Sequence, residues 1–142
     1  MRNRSAFTLV EILIVVIILG ILAAIVIPQF TNASEDAKQS SVSSIVHTVQ
    51  GQLELYKVQH LEAYPGDNGG TFASFTFWTQ LTNKTTEEGA LFGNLGPYLR
   101  DTPVNPVAGG STVVDASAPD SDLDGWFFDF TGGTGAFGAN GL

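Results

Sequence analysis

The residues best suited to chemistry in this sequence are three aspartates at alternate positions near the C-terminus. Asp120, Asp122 and Asp124 precede Gly125 in the order D-x-D-x-D-G. A calcium loop of the EF-hand type begins in this way, because Ca²⁺ prefers carboxylate and carbonyl oxygens. The twelfth position, where that loop needs a bidentate glutamate, is Thr131. The spacing leaves two interpretations open, a calcium loop of another kind and a solvated acidic turn.

Other kinds of chemistry have little support in the residue types and their spacing. The absence of cysteine excludes thiol nucleophiles, disulfides and cysteine zinc sites. No G-x-S-x-G motif or glycine-rich phosphate loop occurs. His47 and His60 would lie about 20 Å apart along a helix, so they cannot share a metal within one subunit, and we expect both on the surface. The sequence therefore predicts no enzyme and, apart from calcium, no cofactor.

The net charge and the mean hydropathy of the chain point to different kinds of protein. Six Lys and Arg residues against fourteen Asp and Glu residues give a formal charge of −8, while the mean hydropathy is +0.17. The acidity argues against a nucleic-acid partner, because phosphate binding needs a basic surface. The apolar average comes from residues 12–27, which carry no polar side chain. The 142 residues therefore predict one apolar segment joined to one small acidic domain.

The apolar segment is long enough to cross a membrane. As a helix, residues 7–27 would extend about 30 Å, which matches the hydrocarbon thickness of a bilayer. Arg2 and Arg4 precede the segment, and no basic residue follows it before Lys38. The positive-inside rule then places the N-terminus in the cytoplasm and the later residues across the membrane. A cleaved secretory signal is the alternative, although its apolar core would be shorter and would end at a small-residue cleavage site.

Glu11 is the unusual residue of this segment, because an ionisable group in a spanning helix is costly and marks a function by default. The alternative is a side chain that reaches the membrane interface from the helix end. Glu11 closes the stretch Ala-Phe-Thr-Leu-Val-Glu at residues 6–11, between a short basic leader and an apolar run that ends before Pro28. This arrangement resembles the class III leader of type IV pilins and type II secretion pseudopilins over residues 1–35.

The resemblance implies how the N-terminus is processed and what its residues do. A membrane prepilin peptidase would cut between Ala6 and Phe7 and methylate the new amino group of Phe7. The family usually has glycine before the cut, where this chain has Ala6. The family also pairs the glutamate of one subunit with the N-terminus of a neighbour. Since such a pair is strong only in a low dielectric, we expect Glu11 to set the register of assembly.

Two further residues of the segment bear on packing and shape. Gly20 belongs to a small-xxx-small pair that permits close approach of helices, although such pairs are frequent in spanning helices. Pro28 removes a backbone donor, so we expect it to kink or locally melt the helix. The family has a proline at the same distance from the cut. Beyond Pro28, the apolar residues of 30–62 follow one helical stripe, which predicts a single long helix from residue 7 to residue 62.

The residues after the helix predict a small, loop-rich head. We expect a short helix at 74–83, with a strand as the alternative, and strands at 111–115, 125–130 and 135–139. The predicted fold is α+β, a long N-terminal helix, its first half transmembrane, with a small C-terminal antiparallel β-sheet packed on its distal half. The expected core residues are Ile45, Val49, Leu53, Tyr56, Trp78, Leu81, Val114, Trp126 and Phe128.

These observations predict a cleaved leader at 1–6, a transmembrane and filament-core helix at 7–29, its amphipathic continuation at 30–62 and a globular head at 63–142. The proline-rich loop of the head and the lack of a disulfide make the chain most like the major pseudopilin. That resemblance implies a structural subunit of the bacterial inner membrane, which secretion machinery polymerises into a helical filament for protein export. The alternatives are a surface type IV pilus subunit and a membrane-anchored calcium or ligand-binding module that does not polymerise.

Overall fold

The computed structural model describes residues 7–117 and 125–140. The chain divides into two compact units, Met1–Ala37 and Lys38–Leu142. In chain order the elements are helices α1 (Leu9–Gln59) and α2 (Ser74–Thr82), and strands β1 (Val113–Asp115), β2 (Trp126–Phe128) and β3 (Phe137–Ala139). The predicted α+β class is confirmed, and both helices and all three strands lie where the sequence pattern places them.

Helix α1 is helical throughout its range, including Pro28. Of the two effects predicted for this residue, a kink or local melting, the melting is wrong, because the loss of one backbone donor does not interrupt the helical bonding on either side. One turn further, the hydroxyl of Thr31 donates to the carbonyl of Ile27 at 3.2 Å, an additional bond along the same stretch.

The second unit holds the hydrophobic core, and one face of α1 contributes to it. Val42, Val49, Leu53 and Tyr56 recur at helical spacing and are at most 1% exposed. The predicted Ile45 is half-buried at the edge of the core. The remaining members come from α2, the strands and the loop that contains Tyr98, and they are Phe77, Trp78, Leu81, Tyr98, Val113, Trp126, Phe128 and Phe137.

The sheet is mixed, which corrects the prediction of an antiparallel sheet. Its strand order is β1-β2-β3, with β2 antiparallel to β3 and parallel to β1. Residues 129–136 join β2 to β3, and the turn expected at 131–134 lies within them. Ten residues, 116–125, separate the end of β1 from the start of β2.

The valine of β1 that enters the core is Val113, whereas the sequence predicted Val114. Val113 pairs with Trp126 and is fully buried, while the predicted core residue Val114 is half-buried. Successive side chains of a strand point to opposite faces, so the pairing with β2 decides which valine enters the core.

Two amide side chains hold distant segments of the second unit together. Gln50 on α1 accepts the backbone N–H of Phe137 at 2.8 Å and donates to the carbonyl of Gly135 at 3.1 Å. Asn105 is fully buried and donates to the carbonyls of Gly125 at 2.6 Å and Asn140 at 3.0 Å. Both side chains complete the backbone hydrogen bonding of segments at the end of the chain, where the sheet itself is short.

Candidate functional site

The most unusual surface of the molecule is the apolar half of α1. Its large hydrophobic side chains from Leu9 to Ile27 are 44% to 81% exposed. Within the part of the chain that the structure describes, α1 is also the one helix long and apolar enough to cross a membrane, a property that signal sequences share. An apolar surface of this extent needs a cover of lipid or of other protein.

Helix α1 begins with a reciprocal pair of side-chain contacts between Thr8 and Glu11. Glu11 Oε2 accepts the backbone N–H of Thr8 at 2.8 Å and its hydroxyl at 2.7 Å. In return, the backbone N–H of Glu11 donates to Thr8 Oγ1 at 3.3 Å. This is a capping box, in which residues three apart satisfy donors that the first helical turn leaves open.

The capping box restricts the position of the Glu11 carboxylate. Both bonds from Thr8 use Oε2, so the second oxygen, Oε1, takes no part in them. Phe7, on whose amino group the predicted processing would act, directly precedes the capped turn and is 77% exposed. The arrangement can hold a carboxylate oxygen for a cation close to the start of the helix. Sequence reasoning identified Glu11 but missed Thr8, although the T-x-x-E spacing is a recognisable signal.

The other residues predicted for processing and assembly lie at separate places along the chain. Ala6 lies outside the described residues. A Cβ added to Gly20 would meet nothing within 4 Å, so no contact among the described residues requires a glycine there. Pro28 lies inside α1.

The predicted metal ligands Asp120, Asp122 and Asp124 lie outside the described residues, so the calcium prediction stays a prediction. Residues 7–117 and 125–140 contain no group of three or more His, Cys, Asp or Glu side chains that could hold a metal. The nearest described carboxylates along the chain are Asp115, at the end of β1, and Asp129, just after β2.

Both of these carboxylates already have hydrogen-bond partners. Asp115 accepts the N–H of Ser117 at 2.8 Å, and the N–H and hydroxyl of Thr131 at 3.2 and 2.6 Å. Burial by itself would raise the pKa of Asp115, but the hydrogen bonds from Thr131 and Ser117 outweigh it and lower this pKa. Asp129 accepts the N–H of Gly132 at 2.9 Å and the hydroxyl of Thr134. The two carboxylates thus organise the turns next to the aspartate-rich segment.

His60 corrects the expectation that both histidines lie on the surface, since its side chain is 1% exposed while His47 is exposed. Its ring stacks on Tyr56 at 3.6 Å between centroids and meets the edge of Tyr98 at 5.8 Å. Nδ1 lies 2.8 Å from the Tyr56 carbonyl and Nε2 lies 2.8 Å from Thr85 Oγ1. Desolvation raises the pKa of the Tyr56 hydroxyl. The imidazole thus joins the end of α1 to the loop that follows α2.

Comparison with known proteins identifies the family. Residues 1–27 match the prokaryotic N-terminal methylation motif. The chain is 36% identical to the type II secretion system core protein G of Pseudomonas aeruginosa over 112 residues, which cover 74% of this chain and 69% of the relative. The chain belongs to the type II secretion core protein G family. The corresponding protein of Vibrio cholerae is 31% identical over 75% of this chain and 67% of the relative.

The chain is similar to a pilus component as well as to secretion proteins. The chain is also 33% identical to the type IV narrow pilus major component PilA5 of Thermus thermophilus, over 59% of this chain and 77% of the relative. No solved structure matches. The resemblance to the pseudopilins is confirmed. The names of these relatives denote components of secretion systems and pili, in agreement with the prediction of a structural protein rather than an enzyme.

Proposed function

We propose that the protein is the subunit of a type II secretion pseudopilus, processed at its N-terminus, stored in the inner membrane and polymerised through its apolar helix. The observation that carries this proposal is the all-round exposure of large apolar side chains along residues 9–27. A helix that is apolar on every side needs lipid around it before assembly and other copies of itself afterwards. The names of the core protein G relatives support secretion as the process served.

The first step of this function is cleavage between Ala6 and Phe7, followed by methylation of the Phe7 amine. The match to the N-terminal methylation motif supports this step, and Ala6 is small enough to stand where the family usually has glycine. Mass spectrometry of the protein from cells with the prepilin peptidase should show a chain that begins with methylated Phe7. Recovery of the intact leader from the same cells would contradict the proposal, and a peptidase deletion strain is the control.

After cleavage, Glu11 would bind the Phe7 amine of a neighbouring subunit and so select the axial register. The capping box supports this role, because Thr8 holds Oε2 and leaves Oε1 outside the cap. A buried charge needs a partner, and a pair of this kind is strongest where water is excluded.

Substitution of Glu11 separates charge from hydrogen bonding. Glu11→Gln keeps an acceptor for the Thr8 cap but removes the charge, whereas Glu11→Asp keeps the charge on a shorter side chain. We expect Glu11→Gln to lower the amount of assembled filament by at least about tenfold, which corresponds to 1.4 kcal/mol. Normal filament yield for Glu11→Gln in competition with wild-type subunits would overturn the role proposed for this residue.

Gly20 and Pro28 would shape the packing of helices in the filament. The open space around Gly20 within the subunit supports a role toward neighbouring copies, since a larger residue would alter only an intersubunit surface. We expect Gly20→Leu to reduce assembly while leaving the melting temperature of the head unchanged. Pro28 would let the helix bend where copies cross, and Pro28→Ala should change filament geometry more than subunit stability.

The membrane orientation and the partners follow from the same proposal. The N-terminus, with Arg2 and Arg4, would lie in the cytoplasm, and the head would lie outside, in the periplasm. The partners would be other copies of this chain, the prepilin peptidase, the assembly machinery and membrane lipid. Fusion of a periplasm-dependent reporter enzyme to the C-terminus tests the orientation, because such a reporter is active only outside the cytoplasm.

The second candidate is a subunit of a surface type IV pilus, and the similarity to the Thermus pilus component favours it. Both candidate functions involve cleavage, storage in the membrane and polymerisation. They differ only in whether the filament belongs to a secretion system or to a surface pilus. Deletion of the gene should abolish export of secreted enzymes if the secretion proposal is right. Loss of surface pili, adhesion, motility or DNA uptake with normal export would support the pilus instead.

We also propose that Asp120, Asp122 and Asp124 bind calcium, which would not by itself require the protein to polymerise. Three closely spaced carboxylates that precede a strand support this, although the EF-hand glutamate is absent. We expect millimolar calcium to raise the melting temperature of the protein, and the rise to be lost in Asp122→Ala. An unchanged melting temperature would favour the solvated acidic turn.

A further inference from the structure

The loop between α2 and Tyr98 exposes a large aromatic side chain in an unusual backbone conformation. Phe92 is 96% exposed, and its φ of 69° lies in the left-handed region. Bulky side chains rarely adopt this conformation, which costs of the order of 1 to 3 kcal/mol and is retained where the surrounding structure imposes it. Phe92 therefore combines local backbone strain with an apolar ring that is exposed to solvent.

The loop that exposes Phe92 is held in place by hydrogen bonds. The N–H of Phe92 donates to the carbonyl of Lys84 at 2.9 Å, and Thr85 and Leu95 exchange backbone bonds of 2.9 and 3.0 Å. Thr85 is fully buried and its hydroxyl contacts His60 at 2.8 Å. The buried histidine thus fixes the base of the loop, and the exposure of Phe92 is a defined feature of the fold.

A pocket of suitable size and character lies among other residues of the same unit. Its volume is about 170 Å³ and its lining is mostly apolar, formed by one face of α1 and the proline-rich loop. A cavity of about 150 Å³ lined by apolar side chains can hold benzene, so this pocket has room for a phenyl ring. The lining residues are Ser44, Ile45, Thr48, Val49, Leu99, Asp101 and Pro103.

The charges beside the ring and the pocket are complementary. Lys84 is exposed beside Phe92 in the loop and pairs with no carboxylate of residues 7–117 or 125–140. Asp101 lines the pocket, and among residues 7–117 and 125–140 its exposed side chain has the exposed Arg100 as its ion-pair partner, at 3.5 Å. An exposed pair of this kind contributes little, so Asp101 can turn to a second cation at small cost.

We propose that Phe92 of one subunit inserts into this pocket of a second copy, with Lys84 of the first beside Asp101 of the second. The ring and the pocket belong to different residues of the unit, and we propose that the contact is heterologous, in which case it can propagate from copy to copy. This inference rests on the proposed polymerisation and names a contact between heads, separate from the apolar helices.

Cysteine cross-linking tests the contact directly, since the natural chain has no cysteine. The full-length double variant Leu91→Cys with Thr48→Cys keeps the Phe92 ring, because Leu91 is its neighbour and is 40% exposed, and after oxidation of assembled filaments it should give a ladder of covalent trimers and larger species. Each single variant should give no species above the dimer. The matched control pairs Thr48→Cys with Phe75→Cys, because Phe75 is also a highly exposed phenylalanine of the head, and it should give no ladder.

Two results of this experiment would overturn the proposal. Covalent dimers without larger species would indicate a closed, reciprocal contact between two copies. Cross-linking no greater than in the Phe75 control would indicate that Phe92 meets another partner, such as a minor subunit, an exported protein or lipid. Both results count only in preparations where filaments are visible by electron microscopy.

Assembly measurements distinguish failure of this contact from failure of the proposed function. We expect Phe92→Ser to reduce assembled protein by about tenfold, equivalent to 1.4 kcal/mol, while Phe75→Ser leaves it unchanged. A charge exchange provides a second measurement, in which Lys84→Glu weakens assembly and the added change Asp101→Lys restores it. Normal assembly of Phe92→Ser would refute the contact alone, whereas absence of filaments from wild-type protein and from Phe75→Ser would refute the proposed function.

Discussion

The two units of this chain place their apolar side chains in opposite ways. Between Leu9 and Ile27, apolar residues surround the helix, and all the large ones are at least 44% exposed. Beyond residue 38 the same helix has one apolar stripe, whose members Val42, Val49 and Leu53 are buried. A stripe can be covered by the rest of its own chain, whereas an all-round apolar surface needs partners outside it. The pattern of apolar residues, rather than their number, distinguishes a filament helix from a core helix.

Polar groups show the same contrast between local and distant partners. At the start of α1, Thr8 and Glu11 are three residues apart and form hydrogen bonds with each other. In the second unit, buried polar side chains bind groups far away in sequence, as when His60 contacts Thr85 and Asn105 contacts Asn140. Single substitutions should therefore reduce the stability of the head, while substitutions in the apolar half should act on assembly.

The largest expected effect tests this division in the core. Trp126 is fully buried, stacks on Phe137 and donates from Nε1 to the Pro103 carbonyl at 3.0 Å. Trp126→Ala should lower the free energy of unfolding of the head by about 3 to 5 kcal/mol, measured by urea titration of the full chain in detergent. The matched change Ile18→Ala should alter it by less than about 0.5 kcal/mol. A large loss of unfolding free energy from Ile18→Ala would contradict this division, because it would mean that the apolar half of α1 contributes to the core.

Substitution of Asn105 should have an intermediate effect on the free energy of unfolding. It tests whether hydrogen bonds between distant segments stabilise the head. Asn105→Ala leaves the carbonyls of Gly125 and Asn140 without this donor and the N–H groups of Val107 and Ala108 without its oxygen. We expect a loss of about 2 to 4 kcal/mol, because buried polar groups without partners are costly.

The control for this substitution removes an asparagine side chain without removing buried bonds. Asn94 is exposed, so Asn94→Ala should change the free energy of unfolding by less than about 0.5 kcal/mol. Equal effects from the two substitutions in the same urea titration would show that the bonds of Asn105 do not stabilise the head.

The smallest expected effect concerns pH. Because hydrogen bonds lower the pKa of Asp115 in the folded protein, its carboxylate stabilises the fold above the unfolded-state pKa of about 3.9. This stabilisation is lost as the pH falls through that value toward the folded pKa. We expect Asp115→Asn to be less stable than wild type by about 1 kcal/mol at pH 7, a difference that shrinks toward pH 3 in thermal melting curves.

The pH prediction has its own control in an exposed carboxylate. The side chain of Asp101 is 85% exposed, so Asp101→Asn should melt with the wild-type pH profile. A difference between wild type and Asp115→Asn that stays constant from pH 7 to pH 3 would rule out the ionised carboxylate as the source of stability.

Local patterns in the sequence were reliable guides to the elements. The apolar run and its stripe predicted α1, the segment around Trp78 predicted α2, and the turn at residues 131–134 predicted the pairing of β2 with β3. These features depend on the side chains of neighbouring residues, so their signals are contained in short windows. The motif of Phe7 and Glu11 was equally local, and it led to the correct family before any contact was known.

The amino-acid sequence was sufficient to predict the class of each segment and the family, because helical periodicity, turns and a processing motif each involve residues close together in the chain. Contacts in the folded protein were needed to show that β1 runs parallel to β2, that Val113 rather than Val114 enters the core, and that His60 is buried. The structure also showed that Phe92 has a strained backbone conformation and an exposed side chain. Each of these depends on contacts between segments that are distant along the chain, and a local pattern does not record which segments meet.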